Sequence, residues 1–312
     1  MAQTTTTTLD DQVKTAFDQV AYFALRSQPL FEMVADVRST AQSHNGSGVQ
    51  FTFYADMAQA TSALTEGTDV TAVALTDSAV TVTLAEYGNA VITTAKVRGT
   101  SFLNVDADAA NIVGYNMADS MDKIVSDVAN AGSNVTHVGQ SSRGAITASD
   151  VYTAAEGRKA VAQLRGRSAP GWENGNYMAI IHPDVSYDLR GDTAVTDVIA
   201  YQIRQDGAPV RAGSIGTFNG IEYVENSRAG LIADGGSGTV DVYQTLICGR
   251  QGLAKAFSRA AGFGPEPSIV VGPVTDTLRR FNPIGWYHLV GYGRFREECL
   301  QRVESASSIG AN

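Results

Sequence analysis

The sequence predicts an α+β fold. Three observations carry that expectation: one unbroken amphipathic helix pattern between Asn104 and Asn130, Thr- and Val-rich strand patterns before it, and a mixed block with returning extended strands after it. No catalytic constellation accompanies them.

The chain opens with a Thr run, and a possible helix follows from about Asp10 to Val37, interrupted by Pro29. A polar lead at a terminus reads as an arm, to about Gly48, that needs a partner to become ordered. From Val49 to Arg98 the pattern turns to period two. Val49, Phe51 and Phe53 alternate with Gln50, Thr52 and Tyr54, and Val80, Val82 and Leu84 alternate with Thr81 and Thr83. Val91, Thr93, Ala95 and Val97 alternate with Ile92, Thr94, Lys96 and Arg98. Gly88-Asn89 is a hairpin turn signal between two such runs. Ala, Thr, Ser and Asp dominate Ala55 to Ser78, too few large apolar residues for a thick core, so this stretch reads as a projecting β arm.

In the central helix, Ile112, Val113, Met117, Met121, Ile124, Val125 and Val128 recur at helical steps. Asp108, Asn111, Asp119, Asp122, Lys123 and Asp127 are assigned to the other surface. Asn104 or Asp106 caps the start and Gly132 offers a stop. At about 1.5 Å per residue the helix reaches roughly 35–40 Å, long enough to act as a strut across a subunit.

Gly139 to Gly272 reads as a compact α/β unit. Its expected elements are a helix over Asp150 to Arg165 capped by Thr147 or Ser149, a buried strand over Asn176 to His182, and a short helix from Pro183 to Leu189. A helix over Thr193 to Arg204, a hairpin turning at Asn219-Gly220, and a strand from Thr239 to Cys248 complete it. Asp276 to Ala306 returns as long strands, with Trp286, His288, Val290 and Tyr292 on one face and Tyr287, Leu289, Gly291 and Gly293 on the other.

Composition excludes several function classes. At 312 residues the chain can bury a sizeable core without staples. Cys248 and Cys299 lack metal-site spacing, so neither a disulfide framework nor a zinc site is indicated. No signal peptide or apolar span is evident. A net charge of −9 argues against gripping phosphate backbones. Two local basic groups, Arg158/Lys159/Arg165/Arg167 and Arg279/Arg280/Arg294/Arg296, read as solvated faces or ion pairs, with a subunit interface as the functional alternative. His44, His137, His182 and His288 are scattered without metal-ligand pairing, and nucleotide-cradling and nucleophile-elbow motifs are absent. No enzyme, cofactor or metal site is expected.

Strand arm, long helix, compact block and returning strands together resemble the major capsid proteins of tailed bacteriophages with the Hong Kong 97-type fold. Three stretches resemble the podovirus N four-like branch: GSIGTFNGIEYVEN from Gly213, LICGRQGLAKAF from Leu246 and GWYHLVGYGRFREECLQRVESAS from Gly285. The resemblance implies an N-terminal arm (1–48), an extended β-hairpin loop (49–98), a peripheral domain with the spine helix and C-terminal strands (99–138 and 273–312), and an axial domain (139–272). It further implies pentamers and hexamers closing into an icosahedral shell around double-stranded DNA, in the virion and assembled in the bacterial cytoplasm. A separate scaffolding protein and a portal would be partners, with decoration proteins optional, DNA met only by non-specific proximity, and no membrane. Subunit-interface candidates are Tyr87, Gly88, Asn89, Lys96 and Arg98 on the arm, Asp206, Gly207 and Pro209 in a polar segment suited to a five- or six-fold vertex, and Arg279 and Arg280. The projecting hairpin could lie over a neighbour's spine helix. Some shells of this fold form a Lys to Asn crosslink, for which Lys96 and Asn282 are conceivable partners.

Many modest contacts suit such a shell, because interfaces of about 4 kcal/mol are individually correctable and collectively persistent. An encapsulin-type nanocompartment would share the fold, and a β-rich surface or adhesion protein is the alternative of another class.

Overall fold

The computed structural model describes residues 30–39, 48–101, 104–172, 175–192, 214–258, 264–272 and 276–310. The helix proposed over Thr193 to Arg204, and most of the N-terminal arm, lie outside them. Where the arm's proposed helix enters the described residues it is a short 3-10 turn, Phe31–Val34, followed by strand β1, Ala35–Ser39. Phe31 and Val34 are buried there, so a turn that inserts two apolar side chains replaces the continuous helix.

Strands β2 (Gly48–Tyr54) and β3 (Asp77–Thr83) form an antiparallel two-stranded ribbon. Strand β4, Ala85–Thr94, follows at once and pairs along its whole length with a later strand. Gly88-Asn89 is therefore no turn. The dipeptide sits inside β4 opposite Tyr287 and Trp286, and a Cβ on Gly88 would come 2.8 Å from the Trp286 carbonyl, so close backbone approach explains the glycine. The strand pattern read through Arg98 also ends early. Thr94 caps helix α1, Ala95–Thr100, its side chain accepting from the Val97 amide, so Lys96 and Arg98 are helical.

Helix α2, Val105–Asn130, has the predicted extent, with the Asn104 side chain accepting from the Ala107 amide and Asp106 and Asp108 in its first turn. Its 26 residues span about 39 Å. The buried stripe is Ala109, Val113, Met121, Val125 and Ala129. Two assignments reverse: Ile112 is 49% exposed, and Asp122 is 1% exposed because it holds a distant segment of chain.

Strand β5 (Val135–His137) leads to α3 (Ala154–Gly166), which starts later than expected because Val151 bridges Ala306 and Thr153 takes the capping position. Next come β6 (Tyr177–Ile181), α4 (Pro183–Gly191), and the hairpin of β7 (Ser214–Phe218) and β8 (Ile221–Glu225). Asn219 and Gly220 both have positive φ, 52° and 80°, as a tight hairpin turn demands. Strands β9 (Gly230–Ile232), β10 (Val242–Cys248), β11 (Leu253–Phe257), β12 (Ser268–Val271), β13 (Phe281–Arg294) and β14 (Leu300–Ser305) complete the chain.

A seven-stranded sheet runs β5-β14-β10-β6-β8-β7, with β9 added to β10. A five-stranded sheet runs β1-β11-β13-β12, with β4 also paired to β13. Sheet membership thus crosses the expected division at 272/273: β11 and β12 join the sheet of β13, and β14 enters the block sheet between β5 and β10.

The seven-stranded sheet is buried on both faces. Ala179, Ile181, Ile247 and Val303 face Leu164 of α3 and Val185 of α4, while Met178, Ile180 and Leu246 face Phe31, Val125 and Ala129. That two-sided burial explains the continuous apolar run of β6. Farther forward, Ala109, Val113 and Met121 of α2 pack on Ile284, Trp286 and Val290 of β13. One helix therefore ties the two sheets together.

Candidate assembly surfaces

The ribbon is seated on the end of β13 by missing side chains. A Cβ on Gly291 would collide with the Thr83 carbonyl, and one on Gly293 would lie 2.7 Å from Val82 Cγ2. Val82, itself buried, fills the space those glycines leave, beside Ala254 and Ala256 of β11. Phe51 and Phe53 reach Phe295 with ring centroids 5.5 and 5.9 Å apart, and the Arg296 guanidinium lies over both Phe53 and Phe295. The ribbon thus runs from Thr83 at Gly291 toward Phe295, away from the start of β13. Sequence reasoning passed over Gly291 and Gly293, although glycines inside a strand signal close approach by another backbone.

Beyond Tyr54 and Asp77 the chain forms a long loop, residues 55–76, without strands. Met57, Leu64, Val70, Val73 and Leu75 are all 58–77% exposed. Between 55 and 76 the charged residues are Asp56, Glu66 and Asp69, with no Lys or Arg. The loop is acidic, apolar and held away from the body.

Of the sequence-predicted interface residues, Lys96, Arg98, Arg279 and Arg280 converge at the start of β13. The Ala95 amide donates to the Arg280 carbonyl at 2.7 Å, and Thr94 pairs with Phe281. Arg98 lies 3.7 Å from Asp106 and Arg280 2.8 Å from Asp276, whose carboxyl is held below its ordinary range first by the Leu278 amide. Val97, Leu278, Phe281 and Ile92 are exposed around them. Arg294 and Arg296 stand at the other end of β13, so the second basic group of the sequence is two separate sites. In the first group, Arg167 donates to Gln301 and Lys159 pairs with Glu156, the bland reading of that cluster.

Tyr87 is half-buried against the α2 interface, whereas Gly88 and Asn89 are exposed and Asn89 donates to Asn116 at 3.2 Å. Asp206, Gly207 and Pro209 lie outside the described residues. Lys96 and Asn282 sit at the same end of the sheet, and Lys96 is exposed.

Two buried charged networks hold the frame. Asp122 accepts from the amides of Leu30 (2.8 Å) and Phe31 (2.6 Å), with Arg228 Nε 3.2 Å away. Burial pushes the Asp122 carboxyl up, opposed by those two amides. Glu304, fully buried, accepts from Arg143 Nε (2.8 Å) and Nη2 (2.6 Å) and Gln244 (3.1 Å), with Arg302 Nε 2.9 Å away. Burial raises its carboxyl, but the combined donors and cations outweigh that and leave it below its ordinary value. Burial first, and then the nearby Lys255 ammonium, push the buried His288 imidazole below its ordinary value, with Glu32 opposing. Among the described residues no cluster of three or more His, Cys, Asp or Glu could hold a metal ion, and no helix is long and apolar enough to cross a membrane.

A strut helix bracing two sheets, with a seated ribbon and a projecting loop, has the architecture of the Hong Kong 97-type capsid fold. Solved structures share it. The chain is similar to the capsid protein of Ralstonia phage GP4 (14% identity, TM-score 0.76, 98% of each chain covered). It is similar also to the head protein of Helicobacter pylori bacteriophage KHP40 (12%, 0.72, 98% of each) and to the capsid protein of cyanophage P-SCSP1u (18%, 0.70, 96% of this chain and 95% of that one). No curated protein matches by sequence. The family model for phage capsid protein matches residues 6–308, and the chain belongs to that family. It is a major capsid protein, a structural subunit of an icosahedral shell.

Proposed function

We propose that the chain assembles as pentamers and hexamers into the shell enclosing the double-stranded DNA of a tailed phage, inside the bacterial cytoplasm, and performs no catalysis. The observation that carries this reading is the exposed apolar and acidic loop 55–76 on a ribbon seated rigidly against the body. An isolated subunit gains nothing by holding Leu64, Val73 and Leu75 in water, whereas a subunit with neighbours covers them. In this reading 1–48 is the arm, 49–98 the extended loop, 99–138 with 273–312 the peripheral domain and 139–272 the axial domain, except that β11 and β12 serve the peripheral sheet and β14 the axial one. A separate scaffolding protein and a portal direct closure, decoration proteins are optional, and DNA is met without sequence-specific contacts, as the net charge of −9 favours.

Electron microscopy of the expressed chain, alone and with the products of neighbouring genes, tests this. Closed particles with rings of five and six are expected; a monomer under every condition, scaffolding partner included, overturns it.

A further inference from the structure

We infer that His288 makes the joint between α2 and the five-stranded sheet acid-sensitive: when its imidazole gains a proton, the sheet parts from the front half of α2, while the helix stays anchored on the seven-stranded sheet. The device belongs to the frame of the single subunit and stands apart from the shell reading.

His288 is placed by period two. It shares the face of β13 that carries Ile284, Trp286, Val290 and Tyr292, the face that packs on Ala109, Val113 and Met121. It is 1% exposed, and its Nε2 has no hydrogen-bond partner among the described residues. The nearby cation is Lys255 of β11, 4% exposed and paired across the strands with Tyr292. Lys255 forms an ion pair with Glu32 of the 3-10 turn, and the Tyr292 hydroxyl donates to the same carboxylate oxygen at 3.1 Å.

Around the imidazole stand Tyr87 from β4, Lys255 from β11, Tyr292 from β13 and Glu32 from the turn. Further out are Glu266, ahead of β12 and near Tyr292, and Asp122 of α2, near Glu32. A neutral imidazole here leaves one hydrogen bond unmade. An imidazolium costs far more, because it is a second buried cation beside Lys255 and the nearest carboxylate is already shared by two donors. Water is the missing partner, and parting the sheet from α2 admits it. Burial and Lys255 accordingly hold the imidazole below its ordinary value against the pull of Glu32. The closed joint is therefore favoured in full above 6.5, and that preference is lost as pH falls below 6.5 through the value in the closed joint.

The helix gives way at its front because its two halves are held differently. Ala109, Val113 and Met121 pack on β13, whereas Val125 and Ala129 are buried with Met178, Ile180 and Leu246 of the seven-stranded sheet. Asp122 stays with the helix and keeps the Leu30 and Phe31 amides and Arg228, so the upward push of burial on its carboxyl does not oppose the opening. A stretch of helix deprived of its packed face is marginal in water, which makes the opening readable as faster amide exchange.

The test is amide exchange on the full-length, unassembled chain from about pH 7.5 to about pH 5, corrected for intrinsic pH dependence and held above the ordinary 4.5 of Glu304. Exchange across 109–121 is expected to quicken several-fold, and at most about thirtyfold, because pH 5 lies about 1.5 below 6.5. Exchange in β6 and β10 is expected to hold steady, and His288→Gln, which cannot titrate there, to abolish the response. In the wild-type chain the imidazole resonance of His288 is expected to titrate over the same range. A flat profile in 109–121 overturns the inference, as does an equal rise in β6 and β10, which marks global unfolding. A local rise that survives in His288→Gln places the trigger elsewhere and also overturns it, His182 being another imidazole that burial depresses. Where His288→Gln fails to fold, a His288 resonance that stays neutral while 109–121 opens does the same on the wild-type chain.

Discussion

Asp122 Oδ1 accepts the backbone N–H of Phe31 at 2.6 Å, joining the middle of α2 to a turn 91 residues earlier in the chain. The neighbouring Leu30 amide shares the same oxygen. A carboxylate that shares the buried face of α2 with apolar residues and Ser126 thereby anchors Leu30 and Phe31 on the helix, and Phe31 and Val34 drive the turn into the core beside Val125 and Ala129.

Asp122→Ala removes the acceptor of two amides and a partner of the Arg228 guanidinium. Breaking a buried charged cluster from one side costs about 3–5 kcal/mol, because the groups left behind are desolvated and unpaired. Urea unfolding of the unassembled subunit should show a midpoint lowered accordingly. Unchanged stability would mean that water replaces the carboxylate at no cost.

Glu304 gives the subunit a pH dependence of definite sign. Its folded-state carboxyl lies below the ordinary 4.5, so the charged form is favoured by folding. That stabilisation is fully present above about 4.5, the unfolded value, and is lost as pH falls through the folded one. Glu304→Gln keeps the shape, leaves Arg143 and Arg302 without their anion, and should flatten the acid limb of stability below pH 4.5 while lowering stability at neutral pH. Thermal melts across the acid range, compared between the two chains, decide it.

Trp286 packs on Ala109 and Val113 from the centre of β13 and donates its indole N–H to Asn116 Oδ1 at 2.9 Å. Trp286→Phe retains most of the apolar burial and loses the hydrogen bond, a cost of about 1 kcal/mol, whereas Trp286→Ala opens a cavity worth about 3–5 kcal/mol. The ordering of the two melting temperatures checks whether packing or the polar contact dominates the helix–sheet joint.

What the sequence made legible was local. Helix α2 could be read because a cap at Asn104, early aspartates and a recurrent apolar stripe agree, and the Asn219-Gly220 turn because both residues tolerate positive φ. Gly88-Asn89 carries the same turn signature yet lies in a strand, since ten residues of pairing with β13 outweigh a two-residue preference. Asp122 looked like solvent-facing polarity because its partners are far away in sequence, and the exchange of β11, β12 and β14 between sheets depends on non-local pairing that no window of residues contains. Of the interface candidates, the four cations near α1 and the start of β13 come together, while Gly291 and Gly293 were missed because a glycine acquires its role only from what crosses it.

Gly291 sets the position of the ribbon, and Gly291→Ala should move it. The new methyl meets the Thr83 carbonyl, a backbone atom that cannot rotate aside, so either β13 shifts or the ribbon lifts from its seat. Lifting separates Val82 from Ala254 and Ala256 and weakens the contacts of Phe51 and Phe53 with Phe295. Overpacking of this kind costs about 1–3 kcal/mol. Because the ribbon makes few contacts with the seven-stranded sheet and α2, the body should stay folded while the loop is aimed elsewhere. The expected result is a subunit that melts cooperatively within a few degrees of wild type but gives a several-fold lower yield of closed particles, or particles of altered curvature, by electron microscopy. Wild-type yield and curvature would show that the seat tolerates a Cβ and that the direction of the ribbon is set by the neighbour it meets.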